Sequence, residues 1–410
     1  MNNKKKIIWI VNYYTSSPGK ASNPRYVEFT KYFMGQGYEV VTFNSARNEN
    51  VESTDMFNEV DYDGHKFVHV KSPAYMGNGL KRMWSIFVFA LRMWLHCKRF
   101  QKPDIVLHNL HTPFDYPVMW MAHRLKAKYV AEAWDMWPED FVTFGLMGAG
   151  NPAMKVAYAM EKRLYAKAAQ VIFTFEGGPD YIRAKGWDKE HGGPVDMNKV
   201  HYNNSGVNVE QFDAWVKSYP RADEDLNDPG IYKIIYLGSI RLVNNVKQLI
   251  DAAAILKENP KYRFFIYGDG PDREPLMKYC EENGITNVVF KEKRIPLHDV
   301  AYVVSQATVN VMNYQKNFGI HGVSSGKMFQ YFAAGKPICC NIKLNYSEIS
   351  RRNLGIDREL DTPEQYAEAI RELAEQPAEE YKAMCERVRE AAWDFDYKKL
   401  SAVELSILEK

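Results

Sequence analysis

Short apolar runs alternate with amphipathic helical stretches in two consecutive series, and this alternation constrains the fold more than any other feature of the chain. Ile7 to Val11 is an apolar run bounded by polar residues, the pattern of a parallel strand buried on both faces. A polar loop follows from Asn12 to Asn23, then a helix over 24–36 closed by Gly37, then a strand over 39–43. Further strands are predicted at 66–70, 104–108, 128–133, 170–175 and 198–203, with helices near 80–100, 114–126, 151–168 and 178–185. A second series opens with a strand over 233–238. It continues as helix 245–258, strand 262–267, helix 272–283, strand 287–290, helix 297–304 and strand 308–312. Such repetition predicts an α/β chain of two Rossmann-like, doubly wound domains. The first loop lacks Gly-x-Gly-x-x-Gly, so it carries no dinucleotide fingerprint.

At 410 residues the chain exceeds one ordinary core, which agrees with two domains. The polar stretch Val209 to Gly230, with Pro220, Asp223, Glu224, Asp225 and Pro229, marks the expected linker edge. We expect one domain over 1–205, a second over 206–392, and a last helix within 393–410 that returns to the first. Two such domains would bring their strand ends to a central cleft, the usual ligand site of open α/β sheets. A net charge of +2 argues against a dedicated nucleic-acid binder. Five cysteines (97, 280, 339, 340 and 385) form no CxxC and no metal-ligand spacing. With the basic Met1 to Lys6 running straight into a strand, they point to a reducing cytosol. No apolar run reaches the ~18 residues of a membrane span.

Within the second series, His321 to Pro337 is a polar loop that turns into a helix and stops sharply. Ser324 or Ser325 is placed to cap it, while Met328, Phe329, Phe332 and Ala333 form one apolar face. Gly335 ends the helix, Pro337 forbids its continuation, and a short strand runs to Cys340. The free N–H groups and positive dipole end, with Lys327 beside them, suit a phosphate, although an ordinary buried αβ unit would read the same. Two strand-end loops add candidates. Gly238 to Asn245 contains Ser239, Arg241 and Asn244, and Arg offers a fixed fork of donors to oxygen-rich anions. Gly268-Asp269-Gly270-Pro271 permits close backbone approach, as any tight turn does.

Taken together, these pieces resemble a known family. The string Ser324-x-x-Lys-Met-Phe-x-Tyr-x-Ala-x-Gly-Lys-Pro337, preceded by the Gly-Ser-x-Arg and Tyr-Gly-Asp-Gly-Pro loops, is similar to the donor domain of family-four retaining glycosyltransferases with the GT-B fold. The resemblance spans the chain and is strongest from 232 to 340. It implies a nucleotide sugar, UDP-linked rather than GDP-linked, held by Gly238, Ser239, Arg241, Asn244, Gly268, Gly270, Ser324, Ser325, Lys327 and Gln330. It also implies no metal and no resident cofactor. The chain departs from the family where many members carry two Glu separated by seven residues: Gly322 and Gln330 stand there. Gln330 keeps a donor and an acceptor for ribose hydroxyls but brings no charge. Ser239 and Asn244 replace the usual basic pair on the diphosphate, so that role passes to Arg241 and Lys327, with Lys247 inside a helix. Ser205-Gly206-Val207-Asn208 stands for the familiar Asn-Gly-Val-Asp.

In the first half, Glu132-Ala-Trp-Asp135-Met-Trp-Pro-Glu139-Asp140 ends a strand. Acids among tryptophans suit a sugar, since rings cover C–H faces while carboxylates accept hydroxyl protons; a solvated hydrophobic patch is the plainer account. The element resembles Asp-Leu-Trp-Pro-Glu of bacterial surface-polysaccharide transferases of the N-acetylfucosamine transferase type, as do Asn78 to Met83 and the Tyr13 to Arg25 loop. Asp135 is the preferred contact at the reacting sugar or acceptor hydroxyl, and Glu139 the second. His108 and His111 follow a strand and read as structural or as sugar contacts. Met83 to Trp94 is apolar and flanked by Lys81, Arg82, Lys98, Arg99 and Lys102; it fits a core helix and an interfacial helix equally. The resemblance implies a polyprenyl-diphosphate-linked saccharide acceptor, surface polysaccharide synthesis, and peripheral contact at the inner face of the cytoplasmic membrane. A UDP-N-acetylglucosamine 2-epimerase-like enzyme and a catalytically silent nucleotide-sugar binder, the latter motivated by Gly322 and Gln330, remain the alternatives.

Overall fold

The computed structural model describes residues 5–20, 23–49, 55–77, 79–143, 145–316 and 318–410. Asn78 and most of the basic start fall outside these. The chain forms two compact units, one of residues 1–204 with 397–410 and one of residues 205–396.

The first unit is built on strands β1 (Ile7–Val11), β2 (Glu39–Ser45), β3 (Phe57–Tyr62), β4 (His65–Val70), β5 (Ile105–Leu110), β6 (Lys128–Ala133), β7 (Gln170–Phe173) and β8 (Val200–Tyr202). They lie in the order β3-β4-β2-β1-β5-β6-β7-β8, parallel except for β3, which pairs antiparallel with β4. β1 is buried along its whole length, because helices cover both faces of the sheet. Chain direction across the sheet reverses between β1 and β5, where Val11 pairs with His108. This corrects the placing of His108: β5 extends to Leu110, so His108 lies inside the strand, and His111 is the first residue beyond it.

The second unit contains β9 (Tyr232–Leu237), β10 (Tyr262–Tyr267), β11 (Val288–Phe290), β12 (Val309–Met312), β13 (Ile338–Cys340) and β14 (Gly355–Asp357). All pairings are parallel, in the order β11-β10-β9-β12-β13-β14, and the reversal falls between β9 and β12. The stretch read as a linker is partly helical. Val209–Ser218 forms a helix whose start Asn208 caps by accepting from Gln211 N at 2.9 Å. Val209 and Phe212 are buried in the core of this unit, with Trp215 and Val216 against it. Its polar residues had masked an apolar spacing of three and four.

One buried ion cluster ties distant parts of the first unit together. Arg25, at the start of the Arg25–Gly35 helix, is fully buried. It donates to Glu132 Oε1 from Nε at 3.0 Å and from Nη2 at 2.6 Å, and to Glu404 Oε2 at 3.3 Å. It also donates to the carbonyls of Asn203 and Asn204. Glu132 lies within β6, and Glu404 lies on the Tyr397–Glu409 helix, whose Leu400, Leu405, Ile407 and Leu408 pack with Ile8, Ile10, Phe29 and Phe33. Removing the cation would strand the buried acids Glu132 and Glu404 without their donor, which is costly even though an intact buried pair adds little net stability. Arg25→Ala is expected to destabilise the first unit by about 3–5 kcal/mol, read by urea titration of tryptophan fluorescence; Glu404→Gln, which keeps an acceptor, should cost clearly less.

Candidate functional site

In the second unit the candidate residues gather at the carboxyl ends of β9, β10 and β12, and the glycines come first because they set the backbone. Gly238, Gly268 and Gly270 take φ of +154°, +141° and +158°. A Cβ on Gly268 would stand 1.8 Å from the Gly238 carbonyl oxygen, and one on Gly270 2.1 Å from that of Ile240. The two loops are joined by Gly238 N to Tyr267 O at 3.0 Å and Ile240 N to Asp269 O at 2.9 Å. Gly268 and Gly270 are therefore required by packing of loop on loop, whatever else they touch.

The Gly238–Asn245 loop is braced from within. Tyr236 Oη donates to Ser239 O at 2.7 Å, and Ser239 Oγ to Asn244 Oδ1 at 2.8 Å. Ser239 and Asn244 thus spend polar groups on each other. Arg241 is exposed and, among the described residues, makes no ion pair or hydrogen bond through its side chain, so its guanidinium is open to an external anion. Lys247, by contrast, pairs with Asp251 at 2.8 Å.

The Gly326–Ala334 helix starts beside this loop. Ser325 occupies the N-cap position but its side chain makes no capping bond, and Gly335 closes the helix at φ +62°. Ser324 Oγ accepts from Ser205 N at 3.4 Å. Gln330 is buried, and its Oε1 finds no partner among the described residues. Lys327 is the feature that draws these parts together. Its Nζ lies 4.8 Å from the Tyr236 ring centre and 5.2 Å from that of Tyr314, which follows β12. A Cβ at Gly238 would meet the same nitrogen at 3.3 Å. The ammonium therefore stands over the β9–β12 reversal, where open α/β sheets bind ligands. No carboxylate of the described residues pairs with it, and burial pushes its pKa down to about 8.

The first unit has its own polar group at the β1–β5 reversal. Asn12 Oδ1 accepts from Tyr14 N at 2.7 Å, Thr15 N at 3.0 Å and His111 Nε2 at 3.0 Å. With Oδ1 an acceptor, Nε2 of His111 carries the proton and Nδ1 is left as an acceptor. Burial, His108 and Arg82 hold His111 neutral. His108 donates or accepts at Tyr129 Oη, 3.0 Å away, and burial lowers it to about 3, a structural role. Asp115 accepts from the His111 and Thr112 backbone at 2.7 and 3.2 Å, and burial raises it to about 7.

The segment after β6 separates the two acids proposed there. Trp134 Nε1 donates to Glu132 Oε2 at 2.7 Å and its ring stacks on Tyr26 at 5.1 Å, which fixes where the chain leaves the strand. Asp135 comes out exposed. Desolvation by its surroundings raises its pKa, and the Arg82 charge opposes that rise. Glu139 is engaged differently: its Oε2 accepts from Tyr158 Oη and Lys185 Nζ, each at 2.6 Å. It is part of an internal ion pair, which leaves Asp135 as the more available acid.

Glu161 was not anticipated. Leu110, Thr112, Ala133, Asp135, Trp137, Glu161, Leu164 and Tyr165 line a cavity of about 10 Å³, the scale of one water. Glu161 is buried and accepts from Tyr165 Oη at 2.9 Å and Tyr181 Oη at 2.8 Å. Burial raises it to about 8. A charge on the apolar face formed by Ala157, Leu164 and Tyr165 was the available signal. No three His, Cys, Asp or Glu side chains of the described residues group as metal ligands.

Comparison with known proteins agrees with this arrangement. Residues 23–192 match the family described as glycosyl transferase 4-like domain, and residues 222–392 match glycosyl transferases group 1. The chain is 32% identical over 133 residues to the putative glycosyltransferase EpsD of Bacillus subtilis, an alignment covering 31% of this chain and about a third of that protein. Among solved structures it resembles sucrose-phosphate synthase from Thermosynechococcus elongatus, with a TM-score of 0.74 and 15% identity over 99% of this chain and 98% of that one. It also resembles Anabaena HepE in complex with UDP-glucose, with a TM-score of 0.65 and 12% identity over 98% and 99% of the two chains. At these identities the structures speak for the fold.

The Glu161 carboxyl yields a test of the first unit. Its folded pKa of about 8 lies above the ordinary 4.5, so its contribution to stability is full below about pH 4.5 and is lost as pH rises through 8. Glu161→Gln, neutral at every pH, should gain on the wild type by on the order of 2 kcal/mol or more between pH 5 and pH 8.5. Denaturant midpoints at the two pH values measure it, and an unchanged difference would show that Glu161 ionises freely in the fold.

Proposed function

We propose that this chain, a glycosyltransferase of the GT-B fold, moves a sugar with retention from a UDP-linked donor to a lipid-linked saccharide. The reading rests first on the Lys327 ammonium, held over the β9–β12 reversal with no anion of the described residues to pair it. A diphosphate is the ligand group that such a cation, an unpaired Arg241 and an uncapped helix start would together attract. Gln330 Oε1, buried without a partner among the described residues, suits a ribose hydroxyl, which can donate to it. We read the reaction as needing neither metal nor resident cofactor. The acceptor oxygen bonds to the anomeric carbon on the face from which the diphosphate departs, the carbon–oxygen bond to phosphate breaks, and the acceptor's proton passes to the leaving diphosphate. Lys327 and Arg241 offset the charge that develops there.

We assign the acceptor to the first unit. Asp135 accepts from a sugar hydroxyl, Trp137 offers an aromatic face, and His111 Nδ1 offers a further acceptor. HepE is described with UDP-glucose and EpsD as a putative glycosyltransferase, and both support a nucleotide-sugar reaction here. The helix that fitted both core and interface has both faces. Ile86, Phe89 and Met93 are buried, while Leu80 is 84%, Trp84 57% and Leu95 51% exposed along the outer stripe. With the exposed Lys81 beside it, the stripe suits an anionic bilayer surface, which supports our reading of an enzyme at the inner face of the cytoplasmic membrane, working on surface polysaccharide. No helix of the described residues is long and apolar enough to cross a membrane.

Arg241→Ala should weaken UDP binding in calorimetry by about 10- to 100-fold, the scale of a charge-assisted hydrogen bond, with an unchanged melting point; equal affinity would remove Arg241 from the diphosphate. For the membrane, Trp84→Ser combined with Phe87→Ser should remain folded and leave phosphatidylglycerol liposomes in flotation. A double variant that melts early in solution would place these side chains in the core instead.

A further inference from the structure

Lys327 is set among groups that cannot neutralise it. From β9 it faces the ring of Tyr236, from the end of β12 the ring of Tyr314, and from β13 the thiol of Cys340, while Tyr331 stands one turn on along its own helix. Burial raises the pKa of each phenol and pushes the Cys340 thiol up to about 12, so none is an anion near neutral pH. The two aromatic faces stabilise a cation only in part. Desolvation prevails, and the amine gives up its proton more readily than an exposed lysine. Its position against Gly238 means that an anion seated on that turn would be the missing counter-charge.

We propose that Lys327 is a proton-linked anchor: a nucleoside diphosphate settling at the Gly238 turn draws a proton from solvent onto the Lys327 amine. The inference rests on the donor reading given above and adds to it that donor affinity is governed by the protonation of one side chain. The neutral amine binds a proton and no bond of the ligand changes. A diphosphate stabilises the ammonium, so its pKa rises in the complex and affinity falls as pH climbs past the free value. An arginine in the same place would hold its charge throughout and show no such dependence.

Calorimetry of UDP binding to the full chain, in two buffers of different ionisation enthalpy, reads the proton directly. Uptake should rise from about a tenth of a proton at pH 7 to about half at pH 8, and affinity should drop roughly sixfold between pH 7 and pH 8.8. Lys327→Arg should bind UDP with no such uptake, and any titration of UDP itself is common to both proteins. UDP binding by the wild type with no proton uptake at pH 8.5, or with the same uptake in Lys327→Arg, overturns this inference and leaves the donor reading standing. Failure of the folded wild type to bind UDP at any pH overturns the donor reading, and this inference with it.

Discussion

The central strands of both sheets are covered on their two faces, and this constraint decides where chemistry can occur. A strand such as Ile7–Val11 has no side chain in contact with water. Polar groups meant for a ligand are then confined to the loops beyond the strand ends, and the reversal of chain direction opens a crevice between two such loops. Asn12 and His111 meet at one reversal, and Gly238, Tyr314 and Lys327 meet at the other. Neither grouping needs a special fold; each follows from sealing the sheet and leaving its edge of loops open.

Charge in the second unit has been moved rather than lost. The loop after β9 braces itself through the Ser239–Asn244 hydrogen bond and leaves the Arg241 guanidinium exposed. The second cation comes from the Gly326–Ala334 helix and reaches back across the sheet edge between two tyrosine rings. A cation delivered this way is partly desolvated, and its interaction with an anion is stronger for it. An arginine on the exposed loop is better suited to catching a ligand than to holding it.

Much of this architecture could be read from residue order. Apolar runs such as Ile7–Val11 marked the buried strands, and Gly335 marked the end of its helix. The loops Gly238–Asn245 and Gly268–Pro271 were visible because strand-end glycines are rare without cause. Other elements were hidden for physical reasons. β3, with Glu59 and Asp61 exposed on an edge strand, carries no apolar run to betray it. The Val209–Ser218 helix buries only Val209 and Phe212 fully, so its polar face dominated the reading. At the sites the hidden facts were partners distant in sequence: Lys185 claims Glu139, and Tyr181 donates to Glu161. No local pattern announces a partner that is 46 positions away, as Lys185 is from Glu139.

The Tyr397–Glu409 helix belongs to the unit whose other residues end at 204, and this affects how the protein is made. On the ribosome, residues 5–204 emerge long before residues 397–410. Until then Arg25 lacks Glu404, and Phe29 and Phe33 lack the cover of Leu400, Ile407 and Leu408. The second unit, continuous in the chain from 205 to 396, has its whole core available earlier. The part of the protein synthesised first is therefore the last to be completed, and nascent chains spend most of translation with an unfinished amino-terminal core open to chaperones and proteases.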